Sequence, residues 1–388
     1  MTVENILAKL VSFPVLGGEG NLSILNWIKE YVESYGVTVQ LVPNEEGNKA
    51  SLHCRIGPAV DGGVILSGHM DVVPVEGQDW TTDPFVLTDK GDGKLYGRGS
   101  CDMKGFLACC LAALPEMVKA NLKKPLYFAF SYDEEIGCLA APELAQHIKT
   151  HYKETPKYAL IGEPSLMEPI IGQKGIYILE TYVNGSAGHS SRIKQEVSAI
   201  HEAMRLILWL ENKMDQLIAD GRLDERFHPP HSSIHIGLVN GGIAPNVIAD
   251  KAHFYWDLRT IPMDGIDQIV SEFETHCRQR ETELRHIFPD FSIKTIENHP
   301  PVPHLDTKAE DDVVDLIKRI SGNSKWDTVS YAAEAGQFAN EGFQSAICGP
   351  GSIAQAHRAD EFIAKEQLVK GMEMMGKLIQ EVSSANFS

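Results

Sequence analysis

Long apolar runs are missing from this sequence: no stretch approaches the roughly 20 residues that a membrane-spanning helix needs. The amino terminus, MTVENILAKLVSFPVLGG, also lacks a basic segment followed by an apolar core and a small-residue cleavage site. Both absences point to a cytoplasmic chain without a membrane partner. Cysteine is sparse and unpatterned. The seven cysteines include no CxxC pair, so they read as reduced thiols rather than a disulfide framework, with the adjacent Cys109 and Cys110 as helix packing. Positive charge is scarce too: 35 Lys and Arg stand against 53 Asp and Glu, a net charge of −18. Nucleic acid and anionic membranes are held mainly by Lys and Arg, so neither is an expected partner. Small molecules or metal cations are. There is no GxSxG elbow, no cysteine in a His-paired context and no internal repeat, which sets aside a Ser or Cys nucleophile and a solenoid.

What is present is enough for a sizeable core. A chain of 388 residues with 43% hydrophobic content exceeds one ordinary compact domain, so two domains, or one domain carrying an insertion, are expected. Helical apolar spacing runs through Val3, Ile6, Leu7 and Leu10, and again through Leu22, Leu25, Ile28 and Val32. Strand-length apolar runs follow at 62 to 68, 125 to 131, 158 to 162 and 344 to 349, with a helix over 104 to 119. Runs that are apolar on both faces suggest buried, mostly parallel strands of an α/β sheet. The stretch from 177 to 296 differs. It reads strand, helix, strand, strand, helix, strand, the order of a ferredoxin-like α+β unit. Helices near 308 to 321 and 365 to 383 then resume the α/β pattern. The expected organisation is a discontinuous first domain, 1–175 and 297–388, interrupted by an inserted domain, 176–296.

Five candidate ligands each follow a strand or enter a helix. His69 ends the first apolar strand in SGHMDVVP, and Asp71, two residues on, is close enough to fix the imidazole tautomer. Asp102, in YGRGSCDMKG, precedes a helix and could bridge two cations. Glu134 and Glu135 follow PLYFAFSYD. Adjacent residues of extended chain point to opposite sides, so Glu135 is assigned to a metal and Glu134 to proton transfer. Glu163 closes YALIG, and His357 lies in the loop GPGSIAQAHRADE. In open α/β sheets, ligand sites form outside the carboxyl ends of the strands. Two histidines and three carboxylates suit two borderline cations that share Asp102. Taken singly, each of these residues reads equally well as surface or satisfied core; their joint placement favours a site. Cys101 could ligate as well, but a small buried side chain is the simpler reading.

The segments SGHMDVVP, GRGSCDMKG, DEEIG, GEP, GHSS and GPGSIAQAH resemble the motifs of the M20 family of di-zinc amidohydrolases, over nearly the whole chain. Within the family, GKLYGRGSCDMKGF, IGEPS with QKG, and GPGSIAQAHRADEF look most like the branch that deacetylates N-acetylornithine, the step that frees ornithine for arginine synthesis. The resemblance implies a zinc-exopeptidase-like catalytic domain and an inserted lid and dimerisation domain, hence a homodimer. It implies two Zn2+, with Co2+ as a possible substitute, one held by His69 and Glu163, the other by Glu135 and His357, with Asp102 as bridge. Glu134 would be the general base beside Asp71. His189 would reach the oxyanion, and Asn246, Arg259 and Gly351 would contact an acylated amino acid. Arg259, read as an isolated guanidinium, suits a substrate carboxylate; its alternative is a surface ion pair. Glu334, in YAAEAGQF, would pair with the side-chain ammonium of ornithine; its alternative is a helix-surface carboxylate. The desuccinylase branch, other acyl-amino-acid hydrolases and dipeptidases are the competing activities. The chain departs from many relatives after GHSS, where Arg192 and Ile193 replace a proline-containing turn.

Overall fold

The computed structural model describes residues 1–387, which divide into two compact units. The first comprises 1–173, 305–328 and the chain from 333 onward; the second comprises 174–304 and 329–332. The return to the first unit therefore comes at Leu305 and not at 297. Residues after the last strand of the inserted unit stay with it because Ile176 and Val302 form a β-bridge with backbone hydrogen bonds in both directions. The short segment 329–332 joins the second unit as well, a detail without a periodic signature in sequence.

The first unit is built on a sheet whose strands run in the order Val39–Pro43, Ala50–Ile56, Leu126–Ser131, Val64–His69, Tyr158–Ile161, Gln344–Ile347, Ile170–Gln173 and Leu305–Asp306. The four central strands, from Leu126–Ser131 to Gln344–Ile347, are mutually parallel, and the flanking pairs are antiparallel. Every residue of Leu126–Ser131, Val64–His69 and Tyr158–Ile161 is buried, as expected for parallel strands covered on both faces. The helix Lys104–Lys119 buries Phe106, Leu107, Cys109, Cys110, Leu111 and Leu114 in the same core as Leu66, Phe128, Leu160 and Met374. All seven cysteines are buried and unpaired. Among the described residues no helix is long and apolar enough to cross a membrane.

The second unit holds a four-stranded antiparallel sheet in the order Ser233–Gly241, Lys251–Thr260, Gly175–Asn184 and Ser292–Glu297. With the helices Ala199–Ala219 and Ile266–Leu284 between strands, both the sequence order and the spatial order are those of a ferredoxin-like fold. Burial alternates with period two along Lys251–Thr260, so Phe254, Trp256 and Leu258 face the helices and meet Leu206, Leu210 and Phe273. The first of these helices begins at Ala199, where Ser198 accepts the backbone N–H of His201 and so satisfies a first-turn donor.

Candidate metal centre

Parallel strands deliver their C-termini to one edge, and the register brings these ends level. His69 pairs with Ser131, and Ser67 with Ile161. The chain just beyond each strand therefore arrives at the same place, which is why residues remote in sequence converge. His69 Nε2 lies 3.2 Å from Asp102 Oδ1, 3.8 Å from Glu163 Oε1 and 3.9 Å from Glu134 Oε2. His357 Nε2 lies 3.0 Å from Glu135 Oε2 and 3.4 Å from Asp102 Oδ2. Asp102 thus turns one oxygen toward each histidine. All five candidate ligands and Glu134 belong to the first unit.

Asp71 does more than fix an imidazole. Its backbone carbonyl accepts from His69 Nδ1 at 2.9 Å, while its buried carboxylate accepts the backbone N–H groups of Glu134 at 3.3 Å and Glu135 at 3.2 Å. One residue therefore orients the histidine and both glutamates. The turn that carries the glutamates is strained: Asp133 and Cys138 both have positive φ, 56° and 54°. Asp133 is held by Lys49 Nζ at 2.5 Å and by the backbone N–H of Gly18 at 2.8 Å, and Cys138 Sγ donates to Glu134 Oε1 at 3.3 Å.

Crowding shifts the titration of this cluster. Burial pushes Glu134 and Glu163 well above the usual carboxylate range, and with Asp102 nearby lifts Glu135 to about 7. Asp102 moves down: burial opposes its ionisation, but His357 and His69 on its two oxygens prevail. Asp102 and Glu135 raise His357 to about 10. Burial alone would lower His69, yet Asp102, Asp71, Glu134 and Glu163 hold it well above its ordinary value.

The donors fit divalent cations. Two sets, His69 with Asp102 and Glu135, and His69 with Glu134 and Glu163, bring their ligand atoms within 4.8 Å of one another. Glu163 Oε1 is buried without a hydrogen-bond partner. A buried carboxylate oxygen left unpaired is costly, and a cation between Glu163 and His69 would remove that cost. Imidazole with carboxylate oxygen is a donor set suited to zinc and its borderline neighbours.

The remaining predicted residues fare differently. His189 and Asn246 are exposed neighbours on a small ribbon: Gly188–His189 pairs with Val247–Ile248, and Ser190 N donates to Asn246 O at 3.1 Å. The departure at Arg192 and Ile193 forms a short 3-10 turn over Ser190–Arg192, with Ser191 Oγ 2.8 Å from His189 Nδ1. Arg259 is not isolated. Its Nε meets Asp257 at 3.0 Å and its Nη1 donates to Ser330 O at 2.8 Å, so the ion-pair alternative describes its present contacts. Glu334 is not on a helix surface: it is buried at the start of Ala335–Asn340, accepts from Ser67 Oγ at 3.3 Å, and leaves Oε1 without a partner. Burial lifts its carboxyl to about 7 against the pull of Ser131 and His69.

Gly351, expected as a substrate contact, donates its N–H to Gln367 and accepts from Leu166 N at its carbonyl. It is glycine because φ is +98° and a Cβ would lie 2.6 Å from Cys101 Sγ. Cys101 itself donates to Ser352 O at 3.3 Å, in keeping with the packing reading. Sequence reasoning missed Arg98 and Glu361. Both stand inside the quoted motifs GRGSCDMKG and HRADEF, but nothing local to either distinguishes a buried pair from a surface one.

A parallel-centred sheet with acids and histidines gathered at its strand ends defines a metallohydrolase-like class. Residues 65–381 match the model of peptidase family M20/M25/M40, and the chain belongs to that family. It is 31% identical over 364 residues to the acetylornithine deacetylase of Aliivibrio salmonicida (strain LFI1238), covering 93% of this chain and 92% of that one. Among solved structures it is similar to the M20 family metallo-carboxypeptidase Sso-CP2 from Sulfolobus solfataricus, with a TM-score of 0.76 and 17% identity over 98% of this chain and 99% of the other. It is also similar to the Bacillus subtilis YXEP protein, described as a dinuclear metal binding peptidase from the M20 family, with a TM-score of 0.59 and 15% identity over 97% and 96% of the two chains.

Proposed function

We propose that this chain hydrolyses the amide bond of an N-acyl amino acid with two divalent cations, Zn2+ in the first instance and Co2+ as a substitute, and that its substrate is N-acetyl-L-ornithine. The observation that carries the metal reading is Asp102, with one carboxylate oxygen toward His69 and the other toward His357, between Glu163 and Glu135. His69 and Glu163 would hold one cation, Glu135 and His357 the other, and Asp102 both. Bound there, the cations supply Lewis acidity and acidify a water molecule toward hydroxide.

Glu134 acts as the proton carrier. It takes the proton of the attacking water and returns it to the departing nitrogen, leaving acetate and a free amine. Its backbone is fixed by Asp71, and burial pushes its carboxyl well above the usual carboxylate range. The roles of His189 and Asn246 toward a developing oxyanion, and of Arg259 toward a substrate carboxylate, rest on the family resemblance. Glu134→Gln should lower kcat by roughly 100-fold or more with metal content unchanged; full activity in that variant would refute the role.

The choice of ornithine rests on the acetylornithine deacetylase relatives and on Glu334. A buried carboxylate with an unpartnered oxygen favours a substrate ammonium over the second carboxylate of a succinylated substrate. A panel of acetyl, succinyl and dipeptide substrates separates these activities. If Glu334→Gln kept the preference for a cationic side chain, the assignment would fail.

A homodimer through the second unit is part of this reading. The strand Ser233–Gly241 is a sheet edge with Leu238 and Val239 exposed, and the helix Ala199–Ala219 exposes Met204 and Leu208, a combination that invites pairing of two copies. Sedimentation of Leu208→Glu with Leu238→Lys should then report a monomer. A cytoplasmic location is supported by seven unpaired thiols.

A further inference from the structure

We propose that Arg98 and Glu361 form a positioning pair that fixes the Asp102 turn and the His357 loop together, and so governs cation binding at the Glu135 and His357 end of the site. The inference rests on the two-cation reading above.

The carboxylate of Glu361 is buried and fully engaged. Oε1 accepts the backbone N–H groups of Cys101 at 2.9 Å and Asp102 at 3.1 Å; Oε2 accepts Gly99 N–H at 3.0 Å and Arg98 Nη1 at 2.8 Å. A carboxylate offers about four acceptor positions; all four are taken, three of them by Gly99, Cys101 and Asp102 of the turn that presents the bridging ligand. Arg98 carries the connection onward. Its Nη2 donates to Gln78 Oε1 at 2.5 Å and to Pro74 O at 3.3 Å, its Nη1 reaches Arg358 O at 3.4 Å, and its guanidinium lies 5.1 Å from the Trp80 ring centroid. Gln78 Nε2 then donates to His357 O at 3.1 Å.

His357 needs such a tether. Its side chain is 56% exposed, and its φ of +60° is one that a non-glycine residue keeps only when its surroundings impose it. Asp360, also at positive φ, is tied by Thr81 N at 2.9 Å. His69 and Glu163 depend on none of these contacts, because both follow directly from central strands and His69 is oriented by Asp71. A buried ion pair is a poor source of stability. Here it sets the place of two ligands from opposite ends of the sequence.

The test is Zn2+ binding, measured by equilibrium dialysis against a competing chelator. Wild type should bind two ions per chain. Glu361→Gln should weaken both ions, because Asp102 is shared, and should weaken the ion of Glu135 and His357 the more, by about 10- to 100-fold, the usual cost of losing a partner behind a metal ligand. Gln78→Ala, which cuts only the link to His357, should weaken the same ion by less, and it decides the matter if Glu361→Gln does not fold. Unchanged affinities in both variants, or equal weakening of both ions, would overturn the proposal. A wild type that binds fewer than two ions would instead sink the two-cation reading, a result that the variants cannot produce.

Discussion

Metal binding to this protein should expel at least two protons per chain near pH 7. In the metal-free cluster Asp102 and Glu135 lift His357 to about 10, and His69, pulled down by burial but surrounded by Asp102, Asp71, Glu134 and Glu163, titrates well above its ordinary value. Both imidazoles are therefore shifted toward the cationic form. A histidine ligates only through a neutral nitrogen, so each must lose its proton when a cation arrives. Glu135, at about 7, is half protonated and adds a fraction; Glu134 and Glu163, raised by burial, can only add more. The groups titrate as one coupled unit, so the total carries the prediction and the individual assignments do not. The sign follows: binding weakens as pH falls. Release of two protons makes the product of the two binding constants drop by about 100-fold for each pH unit lost. Above the raised value of His357 the imidazole is already neutral, and the count must decline. Isothermal titration with Zn2+ in buffers of different ionisation enthalpy reads the number as the slope of apparent enthalpy against buffer enthalpy. A slope below two protons at pH 7 would refute the charged-histidine description of the cluster.

Away from the site, His53 is buried between Tyr152 and His147, and burial, helped by His147 and His151, pulls it down to about 3. The folded state prefers it neutral, so stability is complete above the unfolded value of about 6.5 and is lost as pH falls, by about 2.7 kcal/mol at pH 4.5. Urea midpoints at pH 7.5 and 4.5 should differ less in His53→Gln than in wild type, and an equal difference would count against the assignment. Gly351→Ala should cost about 1 to 3 kcal/mol from backbone strain, with a further part from the Cys101 clash that Cys101→Ala relieves; thermal melts of the two single variants and the double variant separate these. Arg319→Ala removes a bidentate pair with Glu381 on the surface. It should change stability by under about 1 kcal/mol, because exposed pairs are screened by solvent.

The legible parts of this fold were those with local signatures. His69, Asp102, Glu135, Glu163 and His357 stand just after strands or just before a helix, and the apolar runs that mark those strands are short, buried and uninterrupted. The outer strands Val39–Pro43 and Ala50–Ile56 were not read: the first is short and irregular, whereas the second alternates Leu52, Cys54 and Ile56 with Ser51, His53 and Arg55, a period-two signal that was legible. The helix Ala141–His151 was missed because its buried face, Ala141, Leu144, Ala145 and Ile148, holds only two large apolar side chains. Glu334 shows the opposite limit. Its sequence context allowed a surface helix, and only the packing of Ser67 against it reveals a buried acid. Arg98 and Glu361 could not be paired from sequence, since their relation exists only once the strand ends have met.

Charge balance links these observations to chemistry. Asp71, Asp102, Glu134, Glu135 and Glu163 bring five carboxyl groups into one largely buried region whose nearest titratable bases are His69 and His357. Gathering so much negative charge away from water is unfavourable unless something positive joins it. Protons on the histidines, and on carboxyls pushed upward by burial, can meet that cost in part. Two divalent cations meet it with four positive charges instead, and they satisfy Glu163 Oε1, which the proton-loaded arrangement leaves unpartnered. Glu134, lying within reach of His69 yet anchored through Asp71 and Cys138 rather than through a second histidine, is the carboxyl that such loading leaves free to move a proton. The same features thus favour a dication and, under the proposed mechanism, reserve one acid for the reaction.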